Sequence, residues 1–158
     1  MTVALRPLLN EEFEAWRSGS RERYAADIER NGGYTHERAT LKAARDFDQV
    51  LPDGFDTLGQ HVWAVERAGG GVVGHAWIGE RDTPEGGRIA FVYEIEIGEA
   101  HRGQGHGRAA MTLLEAEARS LGHDRIELNV FGGNAVARGL YASLGYSEIA
   151  VYMGKDLR

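Results

Sequence analysis

Residues 88–121 constrain this chain most. A run rich in apolar residues, RIAFVYEIEI (88–97), passes through GEAHRGQGHG into a long stretch of helix formers ending near Leu121. Gly103, Gly105 and Gly107 fall at every second position where that helix begins, flanked by Arg102 and Arg108. Glycine is among the poorest helix formers, so its repetition here is expected either for a tight turn or for backbone that something approaches more closely than a Cβ allows. A strand that feeds a helix and then a further strand, RIELNV (125–130), also implies one parallel pair joined by a crossover.

Two phosphate-binding patterns fail on this turn. A Walker loop ends in Gly-Lys-Ser/Thr, whereas Gly107–Arg108–Ala109 stands here. The G-x-G-x-x-G dinucleotide fingerprint, counted from Gly103 or Gly105, meets Arg108 or Ala110 where its last glycine belongs. What remains is Arg-x-x-Gly-x-Gly over residues 102–107, between a strand and a helix N-terminus. Free N–H groups, the positive end of a helix dipole and the lack of side chains suit a pyrophosphate there. From the turn alone, a ligand cradle and a ligand-free strand-to-helix turn both stand.

The rest of the chain supplies partners for that unit. TVALRPL (2–8) reads as a first strand, and Asn10 as the cap of a helix reaching Arg30, with an interruption expected near Gly19. Thr35 caps a second helix through Val50. HVWAVER (61–67) and GVVGHAWIGE (71–80) form a hairpin across Gly69–Gly70. Simple alternation along 88–97 puts Ile89, Phe91, Tyr93, Ile95 and Ile97 on one face, with Glu94 and Glu96 on the other. NAVARGLYASL (134–144) is a fourth helix, and YSEIAVYMGKDL is a last strand or strand pair.

With 158 residues and no repeat or linker, the whole of 1–158 is expected to form one domain. The chain has no cysteine, so disulfides and thiolate metal sites are excluded. A net charge of −6 argues against sequence-independent nucleic-acid binding and leans weakly towards cationic partners. No signal peptide or membrane-spanning run is apparent, which favours a cytoplasmic enzyme or binding domain. His75, His101 and His106 lack metal spacing with acidic neighbours, so no metal is expected, and His61 and His75 read as structural.

Three elements occur together: Ile95-x-Ile97 followed by Arg102-x-x-Gly105-x-Gly107; Leu128–Asn129–Val130 ahead of Asn134; and Leu140–Tyr141 followed by Leu144–Gly145–Tyr146. In this order they resemble the GCN5-related N-acetyltransferase (GNAT) superfamily over about residues 60–156. The resemblance implies an α+β fold in α/β/α layers, with a mixed, mostly antiparallel sheet of six to seven strands, one splayed parallel pair and four helices. It implies direct transfer of an acetyl group from acetyl-CoA to a primary amine.

Carried over by position, the resemblance gives backbone groups of Ile95, Glu96 and Ile97 to the pantetheine arm. The amides of Arg102, Gly103, Gln104, Gly105, His106 and Gly107 fall to the pyrophosphate. Asn134 is given a cofactor hydrogen bond, which is compatible with capping the fourth helix. Tyr141 takes the position of the general acid facing the cofactor sulfur, against a plain alternative of packing. Glu94 and Glu96 are candidate bases, against the alternative of a solvated strand face. A bulge common in this strand would break its alternation. Asn129 would position substrate or water.

The resemblance implies that the choice of acceptor, a small-molecule or protein amine, is set mostly by residues 11–59. Polyamine, aminoglycoside, amino-acid and protein N-terminal acceptors all remain open, and association with a second copy is left open. A non-catalytic acyl-CoA-binding sensor or docking module is the alternative from a different class, because a fold alone does not fix a function.

Overall fold

The computed structural model describes residues 2–158, in which five strands form one sheet with helices packed on it. Strand β1 (Val3–Pro7) leads to helices α1 (Asn10–Gly32) and α2 (His36–Val50). Strands β2 (Gln60–Arg67), β3 (Val72–Asp82) and β4 (Arg88–Ile97) follow, then α3 (His106–Ser120), β5 (Ile126–Leu128) and α4 (Ala135–Ser143). The strand order in space is β1-β2-β3-β4-β5, antiparallel throughout except for the parallel β4–β5 pair.

Local chemistry explains the helix boundaries. The Thr35 hydroxyl accepts from the Arg38 N–H and opens α2 as expected. At α1 the cap is Leu9, one residue earlier than Asn10; its N–H donates to Glu12 Oε2 at 2.9 Å, so the acidic first turn replaces an Asn cap. Gly19 does not interrupt α1, because the neighbouring turns bury Trp16 and Ser20 and hold the helix through it.

Two cores lie on opposite faces of the sheet. Ala110, Met111, Leu114 and Ala118 of α3 meet Val65, Val73, Ile78, Ala90 and Val92 on one face. On the other, Phe13 and Trp16 of α1 and Phe47 of α2 enclose Trp77 of β3. The ring centroids of Trp16 and Trp77 are 5.2 Å apart at 86°, an edge-to-face contact of the favourable kind. Spacings of three and four residues bring the buried residues of each helix onto one stripe.

The sheet has five strands, fewer than the six to seven expected. The shortfall is C-terminal: residues 147–158 are exposed throughout and pair with no strand among the described residues. Strand β5 is also shorter than 125–130, since its pairing with β4 ends at Val92 opposite Leu128.

The expected alternation of β4 fails at one place. The β3–β4 register pairs Ile78 with Val92 and Trp77 with Glu94, leaving Tyr93 as an extra residue in a bulge. Ala90 and Val92 face the α3 side, and Ile95 and Ile97 pack against the same core. Tyr93 instead stacks on Trp77 at 4.6 Å and packs with the α1 side, the side to which Glu94 also turns. Glu94 and Glu96 therefore share a face with Tyr93, which alternation had placed opposite them. The parity change comes from the bulge.

Candidate active site

The site begins where β4 loses its parallel neighbour. Among the described residues, the backbone of β4 beyond Val92 is paired only with β3, with Ala76 opposite Ile95 and Gly74 opposite Ile97. The edge of residues 94–97 that would face β5 carries no ladder, which leaves N–H and C=O groups for a ligand laid alongside. Gly74 makes the tight β3–β4 approach feasible here, because a Cβ on it would lie 1.9 Å from the Glu96 carbonyl oxygen.

The glycine turn follows. Gly103 and Gly105 have φ of +73° and +82°, the left-handed region that side chains avoid, so both are required by the turn itself. Gly105 caps α3. Among the described residues the N–H groups of 103–108 donate to no backbone carbonyl, whereas Ala109 N–H already reaches Gly105 O at 3.1 Å. A row of unpaired amides at the start of a 15-residue helix is a site for an anion of phosphate type. Gly107 has an ordinary φ, and a Cβ on it would meet only Leu140 Cδ2 at 3.7 Å and Ile97 Cγ1 at 3.9 Å. The turn, the end of β4 and α4 converge at that residue.

The Arg102 side chain folds back onto β4. Its Nε donates to Ile97 O at 2.8 Å and its Nη2 to Glu96 Oε1 at 2.9 Å. Gln104 is exposed, whereas the His106 side chain is buried beneath the turn with neither ring nitrogen hydrogen-bonded among the described residues.

The two glutamates differ sharply in setting. Glu94 is held by α1: Trp16 Nε1 donates to Oε1 at 3.0 Å, while Ser20 Oγ and Arg23 Nη2 donate to Oε2 at 2.5 Å and 3.1 Å. A carboxylate has about four lone-pair sites, so most of those on Glu94 are committed. Among the described residues Glu96 has one partner, Arg102, and it stands opposite His75 in the register. Burial pushes the His75 imidazole below its ordinary pKa, while the Glu94 charge pulls the other way and Arg23 adds to the depression. Glu94 and Arg23 thus act on one imidazole beside both carboxylates. The roles of Trp16, Ser20, Arg23 and His75 around these carboxylates were not anticipated from sequence.

On the opposite face, Tyr141 of α4 packs against the α3-side core, with its ring 5.8 Å from that of Tyr146. Burial alone raises its phenol above the usual tyrosine pKa, so the protonated form persists well into alkaline solution. Asn134 caps α4, its Oδ1 accepting from Ala137 N–H at 3.2 Å, which leaves its NH₂ free for a second partner. Asn129 lies just past β5 and is exposed.

Other polar features lie elsewhere. Glu80 meets Arg88 at 3.2 Å and His123 at 3.2 Å, with His61 at 3.7 Å, near the start of β4 rather than its end. A concavity of about 650 Å³ on α2, lined by Tyr34, Arg38, Lys42 and Arg45, includes none of the expected site residues. Among the described residues no His/Cys/Asp/Glu group is arranged to hold a metal, and no helix is long and apolar enough to cross a membrane.

Known proteins share this fold. The family model described as "Acetyltransferase (GNAT) family" matches residues 4–146. The N-acetyltransferase YycN of Bacillus subtilis (strain 168) is 34% identical over 99% of this chain and 100% of its own length. The crystal structure of YycN superposes with a TM-score of 0.91 at 33% identity, covering 99% of each chain. A second N-acetyltransferase of that organism, YdgE, is 31% identical over 99% of both. An acetyltransferase from Clostridium acetobutylicum, solved with acetyl-CoA, shares the fold with a TM-score of 0.68 at 17% identity, covering 99% and 97%. The chain belongs to the acetyltransferase (GNAT) family.

Proposed function

We propose that this member of the acetyltransferase family transfers an acetyl group from acetyl-CoA to a primary amine, with both bound at once. The observation that carries the reading is the row of unpaired amides at 103–108, placed directly after the unpaired edge of β4. The residues fit the co-substrate: the amides hold the pyrophosphate, the backbone of Ile95, Glu96 and Ile97 holds the pantetheine arm, and the Asn134 NH₂ adds a hydrogen bond. When bound, the thioester supplies an activated acetyl group.

The chain's own residues do the proton work. An ammonium must lose a proton before its nitrogen attacks the thioester carbonyl, and the departing thiolate must gain one. Glu96, with an oxygen not engaged by Arg102, takes the proton from the amine directly or through water. Tyr141 gives its phenolic proton to the thiolate. Glu94 fixes α1 to β4 and keeps negative charge beside the acceptor, which suits a cationic amine and the acidic balance of the chain. Asn129 orients the acceptor or a water.

The test is an amine panel with acetyl-CoA, read as release of free thiol and as the mass of the acetylated product. Transfer to at least one amine class is the expected result. Tight acetyl-CoA binding by calorimetry with no transfer across polyamines, aminoglycosides, amino acids and peptide N-termini would leave a binding module as the better account.

A further inference from the structure

Arg81 of β3 is held in place without a carboxylate. Its guanidinium carbon lies 3.5 Å from the centroid of the buried Phe91 ring and 4.9 Å from that of Tyr93. Its Nε donates to the Tyr93 hydroxyl at 3.0 Å. The acidic neighbours in sequence, Glu80 and Asp82, fall on the opposite face of β3 by alternation, and Arg88 engages both at 3.2 Å. Glu127, opposite Phe91 on β5, is taken by Arg125 at 2.7 Å. Among the described residues the Nη1 and Nη2 groups of this exposed arginine have no partner.

The β4 bulge builds this arrangement. The extra residue keeps Tyr93 on the α1 side, with its ring 5.0 Å from that of Phe91. Gly79, opposite Phe91, leaves room for it, because a Cβ there would collide with the Tyr93 ring. The Tyr93 hydroxyl accepts from Arg81, so its own proton is available to donate. Three donors, Arg81 Nη1 and Nη2 with the Tyr93 O–H, thus stand in one small patch of the face that carries Glu94 and Glu96, with no acceptor among the described residues.

The geometry points to an anion subsite for the acceptor, in which Arg81 and Tyr93 bind a carboxylate on the same molecule whose amine is acetylated. This inference rests on the acetyl-transfer reading. A guanidinium fixed by one N–H and a ring face, with its outer N–H groups open, suits a carboxylate. The register sets the spacing: Gly79 is opposite Phe91 and His75 opposite Glu96, so the two ends lie four residues apart along β3, roughly 13 Å. A hydrogen bond of about 3 Å at the Glu96 end leaves about 10 Å between amine nitrogen and carboxylate. Three extended peptide residues cover that span at about 3.3 Å each. Glu94, between the two ends, is paired with Arg23 and so does not oppose an anion. The acceptor is therefore a peptide amine with a carboxylate two or three residues along, whereas amines whose charged groups are all cationic leave Arg81 unpaired.

The test offers the full chain trialanine, trialanine amide and the amide of Ala-Ala-Glu as acceptors. KM for a carboxylate-bearing peptide is expected to be about tenfold below that for trialanine amide, the size of one charge-assisted contact. A gain with trialanine assigns a terminal carboxylate, and a gain with Ala-Ala-Glu amide a side chain. In Arg81→Gln the preference is expected to vanish, with acetyl-CoA affinity by calorimetry showing that the fold and the co-substrate site are intact. Arg81→Lys, which keeps the charge but loses the fork, should retain part of it. Calorimetry of the same peptides against the CoA-loaded protein reads the subsite even where no amine is acetylated, so its failure is distinct from failure of the transfer reading. Equal or undetectable binding of all three peptides, or a preference that persists in Arg81→Gln, would overturn the inference.

Discussion

Ser20 Oγ donates to Glu94 Oε2 at 2.5 Å, joining the middle of the first helix to the strand that carries the candidate site. With Trp16 and Arg23 on the same carboxylate, Glu94 is the polar seam between α1 and the sheet. It is mostly buried, with a side chain only 12% exposed.

Glu94→Gln should therefore act through position. The amide must turn an NH₂ towards Trp16, Ser20 or Arg23, leaving donors facing one another. That should cost about 1–3 kcal/mol in urea unfolding. Loosening of α1 should raise the acceptor KM while acetyl-CoA affinity holds. Glu96→Gln breaks only the partly exposed pair with Arg102 and should change stability by less than about 0.5 kcal/mol. If Glu96 is the base, that variant alone loses the acidic limb of the rate profile. Wild-type profiles for both variants would exclude both glutamates.

The glycines of the turn separate strain from ligand crowding. Gly105→Ala adds a Cβ that touches nothing within 4 Å but must be held at a φ of +82°, so a stability loss of about 1 kcal/mol is expected. Gly107→Ala meets its neighbours only at ordinary contact distances, 3.7 Å and 3.9 Å, and should fold as well as wild type. If the pyrophosphate lies on these amides, calorimetry should nevertheless show a weaker acetyl-CoA complex for Gly107→Ala. Unchanged affinity in both variants would remove the turn from the binding site.

Glu12 gives a pH signature unrelated to catalysis. Hydrogen bonds from Arg6, then the bond from the Leu9 N–H, hold its carboxyl down to about 2 from an ordinary 4.5. A lowered folded-state pKa contributes stability that is present above the unfolded value and lost as pH falls through the folded one. Glu12→Gln should thus be less stable than wild type at pH 7, and the gap should narrow between pH 4.5 and about 2. Thermal melts across that range check it; a constant gap would mean that the charge is not what matters.

The sequence showed the outline of this molecule better than its contacts. Strand β4 and the glycine turn were legible because periodicity, turn residues and helix formers change within a few positions. The bulge at Tyr93 was not, because it is a property of the register with Trp77 and Ile78 rather than of β4 alone. The donors to Glu94 lie 71 to 78 residues away in the chain, so no local pattern could connect them. Ile149, Val151 and Met153 alternate as a strand would, yet residues 147–158 pair with no strand among the described residues, because alternation alone supplies no partner.

Tyr141 is the residue whose removal separates catalysis from binding. Its ring packs into the rim of the α3-side core, and Tyr141→Phe keeps that packing while deleting one hydroxyl. Stability and acetyl-CoA affinity should hardly change. A positioned proton donor contributes about 10²–10⁴-fold in rate, so kcat should fall by that order with the acceptor KM little altered. The pH dependence adds a second check. Burial raises the phenol above its usual range, so the acid is present at neutral pH and is lost only as pH rises through that raised value. The wild-type rate should then show no alkaline decline below the ordinary tyrosine range, near pH 10. A Phe variant that turns over at the wild-type rate would assign the proton to solvent and leave Tyr141 a packing residue.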